Sequence, residues 1–352
     1  MKKFLSLLLC VALFFTFAAC GDKSANNPTV NISDESVAVE QAPVVDEPKF
    51  AVNPLTGLEE LDFGKENLRP VAIMINNIRV AQSVQTGVTK ADIVYEMEVE
   101  GGITRLMAVF KDISKAGQLG SVRSARYDYI DLALGHDAIY VHGGIDMTYA
   151  YPHVSETGVS NFNIDSYPWA PYGFRESNGL ASEHTLYTTS EKLNQGFKDL
   201  QVRTTTEKSN TFCEFNETAT VPAEGTANKV SVNFSNVATS IFEYNAETKT
   251  YTKNTAVNSN KDYKTGESYV VTNVIVLQTR VGNFADNKHK DIDLVSGSGY
   301  YFSNGGYQKI LWKKGGAKDT ITYYNTDNTP LKINPGKTWI CIQSNTKSVG
   351  IE

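Results

Sequence analysis

Apolar residues along this chain fall into three successive patterns, and each predicts a different kind of structure. The first is an unbroken apolar run, Phe4 to Phe17, followed to about Pro48 by polar chain with almost no aromatic residues. The second begins where turn residues surround two leucines in Asn53-Pro54-Leu55-Thr56-Gly57-Leu58, which marks the start of folded chain. Arg69-Pro70 leads into Val71 to Asn77, a continuous apolar run of strand length and β-branched content, hence a buried strand. Gln82 to Lys90 reads as a loop or short helix. From Ile93 the stretch Ala91 to Glu100 alternates: Ile93, Tyr95, Met97 and Val99 face one way, and Val94, Glu96, Glu98 and Glu100 mostly the other. Gly101-Gly102 supplies a tight turn and Ile103 to Lys111 returns, which together predict a hairpin.

Ser124 is a candidate cap for a helix from Ala125 through Leu134, with Tyr127, Ile130, Asp131 and Leu134 at helical spacing. Ala138 to Val141 reads as a second buried strand. Residues 145 to 180 are aromatic and irregular, as expected of chain that covers or lines a site, and a further helix runs from Ser190 to Leu200. The third pattern starts near Lys229, where short turn-separated runs such as Val230–Phe234, Tyr269–Gln278, Gln308–Lys313 and Trp339–Gln343 predict strands and little helix. The fold class is therefore α+β. An N-terminal α/β domain spans 49–203, a Thr-rich linker 204–228, and a C-terminal mostly-β domain, a small barrel or sandwich, 229–352.

The first pattern becomes specific once its flanks are included. Lys2-Lys3 precedes the apolar run, which is too short to span a bilayer, and the segment closes on Phe17-Ala18-Ala19-Cys20-Gly21. Small residues before a cysteine resemble a lipobox, so residues 1–20 read as a lipoprotein signal peptide. Cys20 is the expected lipidation site, and 21–48 is expected to be a disordered tether. The expected location is the extracytoplasmic face of the cell membrane. A formal charge of −6 argues against nucleic acid as a partner, because no basic surface is available to displace counterions. Of four cysteines, Cys10 leaves with the leader and Cys20 carries lipid; Cys213 and Cys341 either close a disulfide or stay as separate buried thiols.

Candidate chemistry concentrates in Gly120-Ser121-Val122-Arg123-Ser124-Ala125-Arg126 and the following His142-Gly143-Gly144. Arg123 and Arg126 would lie at the N-terminal end of the predicted helix, where the dipole favours anions. They need an anion nearby, either Asp128 with another side chain or a bound ligand. His142 ends a strand, and ligand sites of α/β sheets lie outside the carboxyl ends of strands. Arg105 lies near the hairpin turn, where a solvated cross-strand ion pair with Glu98 or Glu100 is expected. Arg175 and His184 complete the candidate ligand-binding set. No G-x-S-x-G or H-E-x-x-H is present, and His136, His142, His153 and His184 offer no i, i+4 ligand pair, so neither a metal nor a cofactor is expected.

Several of these pieces occur together in one family. The lipobox, Asn53-Pro54-Leu55-Thr56-Gly57, Ile103-Thr104-Arg105, Gly120 to Arg126, Tyr140-Val141-His142-Gly143-Gly144 and His184-Thr185-Leu186-Tyr187-Thr188 resemble the YerB family of bacterial lipoproteins. Asn273-Val274-Ile275-Val276 and Gly336-Lys337-Thr338-Trp339-Ile340 are similar to its second domain. The chain departs from that family around His184, where a proline usually precedes and an asparagine follows. The resemblance implies a two-domain layout and a surface location, and no reaction. Three functions then compete. One is a binding module for an anionic envelope component or a protein partner. The alternative is a phosphotransferase-like enzyme on polyprenyl-phosphate-linked glycans, with Asp92 or Asp128 holding a metal; it rests on a looser likeness to the LytR-CpsA-Psr phosphotransferases. The third is a scaffold whose arginines are saturated by protein carboxylates and carbonyls.

Overall fold

Strands buried on both faces need cover on both faces, and that requirement organises the structure, a computed structural model that describes residues 50–208 and 212–352. The stretches read as signal peptide and tether, with Cys20, lie outside the described residues. All six residues of β1 (Val71–Asn76) and all seven of β3 (Thr104–Phe110) are buried. Between them in sequence lies β2 (Ile93–Glu98), which pairs antiparallel with β3 as the predicted hairpin. β4 (Ile139–His142) and β5 (Ser160–Asn163) extend this group in parallel beyond β1. Three helices accompany it: α1 (Tyr127–Gly135), α2 (Ala150–Thr157) and α3 (Ser190–Asp199).

The C-terminal half contributes β6 (Lys229–Asn233), β7 (Thr239–Asn245), β8 (Thr250–Thr255) and β9 (Tyr269–Val271). It continues with β10 (Asn273–Thr279), β11 (Ser296–Ser303), β12 (Gly306–Lys313), β13 (Thr338–Ser344) and β14 (Val349–Ile351). β6 to β9 and β14 form a five-stranded antiparallel sheet. The others enter the same sheet as β1 to β5, which with two short strands, Gly225–Thr226 and Thr322–Asn325, has eleven strands. The junction is β13, which pairs in parallel with β10 on one side and with β2 on the other, Thr338 opposite Ile93 and Ile342 opposite Met97. The N-terminal α/β and C-terminal mostly-β domains are thus fused through one strand. The run read as a single strand, Tyr269–Gln278, changes sheets at Thr272.

Two hydrophobic clusters fill the two faces. On one, Ile73, Leu106 and Val141 pack towards Phe197 of α3, while Trp339, Val274 and Phe302 pack under Val230, Phe242 and Tyr251 of the five-stranded sheet. The C-terminal half is in this sense a sandwich, closed by the long sheet. On the other, Met74, Tyr95 and Met107 lie under Tyr129 and Ile130 of α1, continuous with Ile340, Tyr301 and Trp312. Each such large side chain, fully buried, contributes on the order of 1.5–3 kcal/mol. The described residues form one compact unit that holds both clusters, so a fragment from Pro48 onward retains the whole core.

Two local readings differ from the structure. Ser124 does not cap α1; residues 121–125 are drawn into extended pairing along the sheet edge, and the helix starts two residues later with Arg126 at the cap position. Residues 145–180 contain α2 and β5. Asp146 sets up α2 by accepting from the backbone amides of Thr148, Tyr149 and Ala150, and only Ala150 and His153 of that helix are buried, so it leaves no apolar stripe in the sequence. Cys213 and Cys341 are free thiols, and they belong to opposite faces of the sheet.

Candidate functional site

β1, β2, β4, β5, β10 and β13 all run the same way, so their carboxyl ends line one edge of the long sheet, and β3 starts there. Chain carrying the arginines is pinned along this edge. The Asn76 amide donates to Ser121 O at 2.9 Å, Arg123 to Met74 O at 3.0 Å, Gly143 to Arg123 O at 3.1 Å and Ala125 to Gly144 O at 3.0 Å. The backbone therefore places Arg123, Arg126, Arg105 and His142 at one corner.

Most of these side chains meet protein partners. Arg126 Nε donates to Glu100 Oε1 at 2.6 Å and its Nη1 to Ala125 O at 2.7 Å. Arg123 Nη2 lies 3.6 Å from Glu183 Oε1, which is 3.4 Å from His184 Nε2. His184 Nδ1 is 2.8 Å from Asn76 Nδ2. His142 Nδ1 faces Gly144 O at 2.7 Å and its Nε2 faces the Asn161 carboxamide at 2.5 Å; burial pushes its pKa down. Arg175 stands apart and exposed, with Nη2 donating to Asp165 Oδ1 at 2.6 Å. Asp128 does not serve the arginines. It is buried, accepts from the Ile292 amide at 3.3 Å, and burial raises its pKa well above the carboxylate range.

Arg105 is the exception. It is 4% exposed, its Nη1 donates to Ser124 O at 2.6 Å, and among the described residues no carboxylate lies within ion-pair distance of it. The expected cross-strand pair is not made: Glu98 turns to Lys290 at 2.9 Å and Glu100 to Arg126, because Arg105 points under α1 with the apolar row of β3. Burial first, then the neighbouring Arg126 charge, lowers the Arg105 guanidinium to about 9, with Glu100 opposing. The Tyr140 hydroxyl, fully buried in the same corner, faces the Arg126 backbone amide without a hydrogen bond. Three guanidiniums and a helix N-terminus thus share Glu100 and Glu183, leaving an excess of positive charge.

The other face of the same edge holds a cleft of about 410 Å³ between the hairpin and the five-stranded sheet. Glu96 forms its floor. Its carboxylate accepts from Asn77 Nδ2 at 3.0 Å, Thr104 Oγ1 at 2.9 Å, Ser240 Oγ at 2.8 Å and Trp339 Nε1 at 3.0 Å. Lys253, 0% exposed, lies 5.0 Å from the Trp339 ring centroid. Sequence reasoning passed over Glu96 and the cleft residue Arg79. The available signal was Glu96 itself, a carboxylate inside a strand buried on both faces, which has to be partnered.

Among the described residues no three His, Cys, Asp or Glu side chains are grouped to hold a metal ion. Asp92, weighed for that role, accepts from Asn53 Nδ2 at 3.0 Å and from the Lys111 amide at 2.6 Å, and burial raises it to about 7.

Comparison with known proteins matches residues 55–203 to the N-terminal domain, and 230–340 to the C-terminal domain, of the family described as Protein of unknown function (DUF3048). A Bacillus subtilis (strain 168) protein named "Putative lipoprotein YerB" is 28% identical over 346 residues, 97% of this chain and 96% of its own. The crystal structure of YerB from Bacillus subtilis superposes with a TM-score of 0.75 at 26% identity, covering 86% of this chain and 99% of that one.

Proposed function

From the fact that this chain belongs to the YerB-like DUF3048 family, we propose a lipoprotein anchored through Cys20 to the extracytoplasmic face of the cell membrane, binding an anionic group at the Arg105 corner. One observation carries the binding reading: Arg105 is a buried cation without a carboxylate of its own. Such a group costs several kcal/mol unless an anion offsets it. Arg105, Arg123, Arg126 and the start of α1 supply donors of the kind that grip carboxylate or phosphate. The pocket beside them, between Glu100, Arg126, Tyr149 and Lys290, has a volume of about 10 Å³, room for one water. An incoming anion therefore competes with Glu100 for Arg126.

That competition is the test. Glu100→Gln removes the internal competitor and keeps the shape. Calorimetric titration of the Pro48–Glu352 fragment with pyrophosphate and with glutarate should show about tenfold tighter binding for the variant, one charge-assisted contact's worth. Absence of millimolar-or-better binding in both proteins would leave the arginines as scaffold. The phosphotransferase alternative asks for Asp92 or Asp128 beside the arginines, yet both are held by other donors. A requirement for Mg²⁺ in pyrophosphate binding would restore it. For the anchor, radiolabelled palmitate should enter the wild-type chain and not Cys20→Ser.

A further inference from the structure

We propose that the cleft over Glu96 is a second binding site, on the opposite face from the arginine corner, which takes a short aliphatic peptide by its free carboxyl end. The volume of about 410 Å³ suits a ligand of tripeptide size. The floor does not supply the recognition: all four hydrogen bonds to Glu96 come from the protein, and two from each domain hold it rigid. Recognition groups lie on the walls and rim. Arg79 is exposed, and among the described residues its guanidinium has no hydrogen-bond or ion-pair partner. Among the described residues Arg79 is also the single cation lining the cleft, and the single lining carboxylate, Glu96, is already saturated. A free guanidinium at the mouth of a cleft with no competing anion favours a carboxylate.

The rest of the lining says what the carboxylate is attached to. Val237 is 70% exposed and Val257 56%, on two separate segments of the lining, and the half-buried Ile78 and Ile103 line it from two more. Exposed valines at one place are uncommon without a partner. Between them, Asn236 and Thr239 present a carboxamide and a hydroxyl that no group among the described residues uses. Apolar spots alternating with free amide-pairing groups match a peptide, with its own alternation of side chain and backbone. A fatty acyl chain would instead need a continuous apolar lining.

The experiment compares two pools of acetylated tripeptides built from Gly, Ala, Val and Leu, one with free carboxyl ends and one amidated, and adds octanoate. Binding to Pro48–Glu352 is followed by methyl NMR at Val237 and Val257 and by calorimetry. The free-carboxyl pool should shift both methyls at millimolar concentrations or below, and the amidated pool should bind roughly tenfold or more weakly. Arg79→Ala, a change at an exposed side chain, should erase that difference while leaving the melting temperature unmoved, and Arg79→Lys should restore part of it. Equal binding of the two pools overturns the proposal. So does silence of both methyls towards every peptide, and so does octanoate binding where the peptides do not. Glu100→Gln should leave this titration unchanged, so failure here and failure at the arginine corner are read separately.

Discussion

Replacing Glu96 by glutamine tests whether one buried carboxylate joins the two domains. The side chain keeps its volume but loses one acceptor. Its amide oxygen can satisfy either Asn77 and Thr104 or Ser240 and Trp339, and the amide nitrogen then faces the other pair. Ser240 can turn its hydroxyl to accept, but an indole N–H only donates, so at least one buried donor is orphaned in the better orientation. That costs about 1–3 kcal/mol. Lys253 adds to it. Burial pushes its pKa down and Glu96 pulls it back up, so loss of the carboxylate leaves a fully buried ammonium without its nearest counter-charge. The two groups make no ion-pair contact, so the total stays below the ~3–5 kcal/mol of a broken buried salt bridge. Lys253→Met in the Glu96→Gln background should therefore return part of the loss, with a coupling of about 1–3 kcal/mol. Urea unfolding of Pro48–Glu352 at pH 7, with the slope checked for two-state behaviour, gives all four corners of the cycle. A cost below about 0.5 kcal/mol for Glu96→Gln, in the range of surface substitutions, would refute the reasoning. Strict additivity of the two changes would refute the role given to Lys253.

Three further outcomes are expected. His136, 3% exposed and 2.8 Å from the Tyr95 hydroxyl, is lowered to about 4 by burial and then by Lys314. A depressed histidine leaves the folded state binding fewer protons than the unfolded one, so its contribution is intact above about pH 6.5 and is lost as pH falls towards 4, by about 3 kcal/mol; His136→Gln should flatten the stability–pH curve in that window. Cys213 and Cys341 should both titrate with a thiol reagent in denaturant and resist it in the native protein, and reductant should leave the melting temperature unchanged. A fragment ending at residue 203 lacks β13 and leaves β2 as an unpaired edge, so it should show neither a sharp melting transition nor protected β2 amides; a cooperative transition would show the N-terminal domain to be independent.

How much of this was legible in the sequence divides by range. β2 illustrates the readable part. Its period of two assigned Tyr95 and Met97 to one face and Glu96 to the other, and the two hydrophobic clusters keep that division. What period cannot supply is the neighbour. Trp339-Ile340-Cys341-Ile342 reads as a buried strand under any pairing, and nothing local says that it enters between β10 and β2, more than 240 residues from the Glu96 that Trp339 hydrogen-bonds. The arginine corner divides the same way. That Arg123 and Arg126 oppose the dipole of α1 and need anions follows from their position on the helix. That the anions are Glu183 and Glu100, while Asp128 turns to the Ile292 amide, depends on where a distant hairpin and a loop are folded back. Arg105 shows the consequence. Its strand position put it beside Glu98 and Glu100, but both carboxylates are drawn off by cations from other segments, Lys290 and Arg126. The charge left over at that corner is a property of the tertiary arrangement, invisible in any window of sequence, and so is the cleft, whose lining comes from four separated stretches. Both candidate sites arise where long-range packing leaves a local rule unsatisfied, a buried cation at one and, at the other, a guanidinium with no partner among the described residues beside exposed valines.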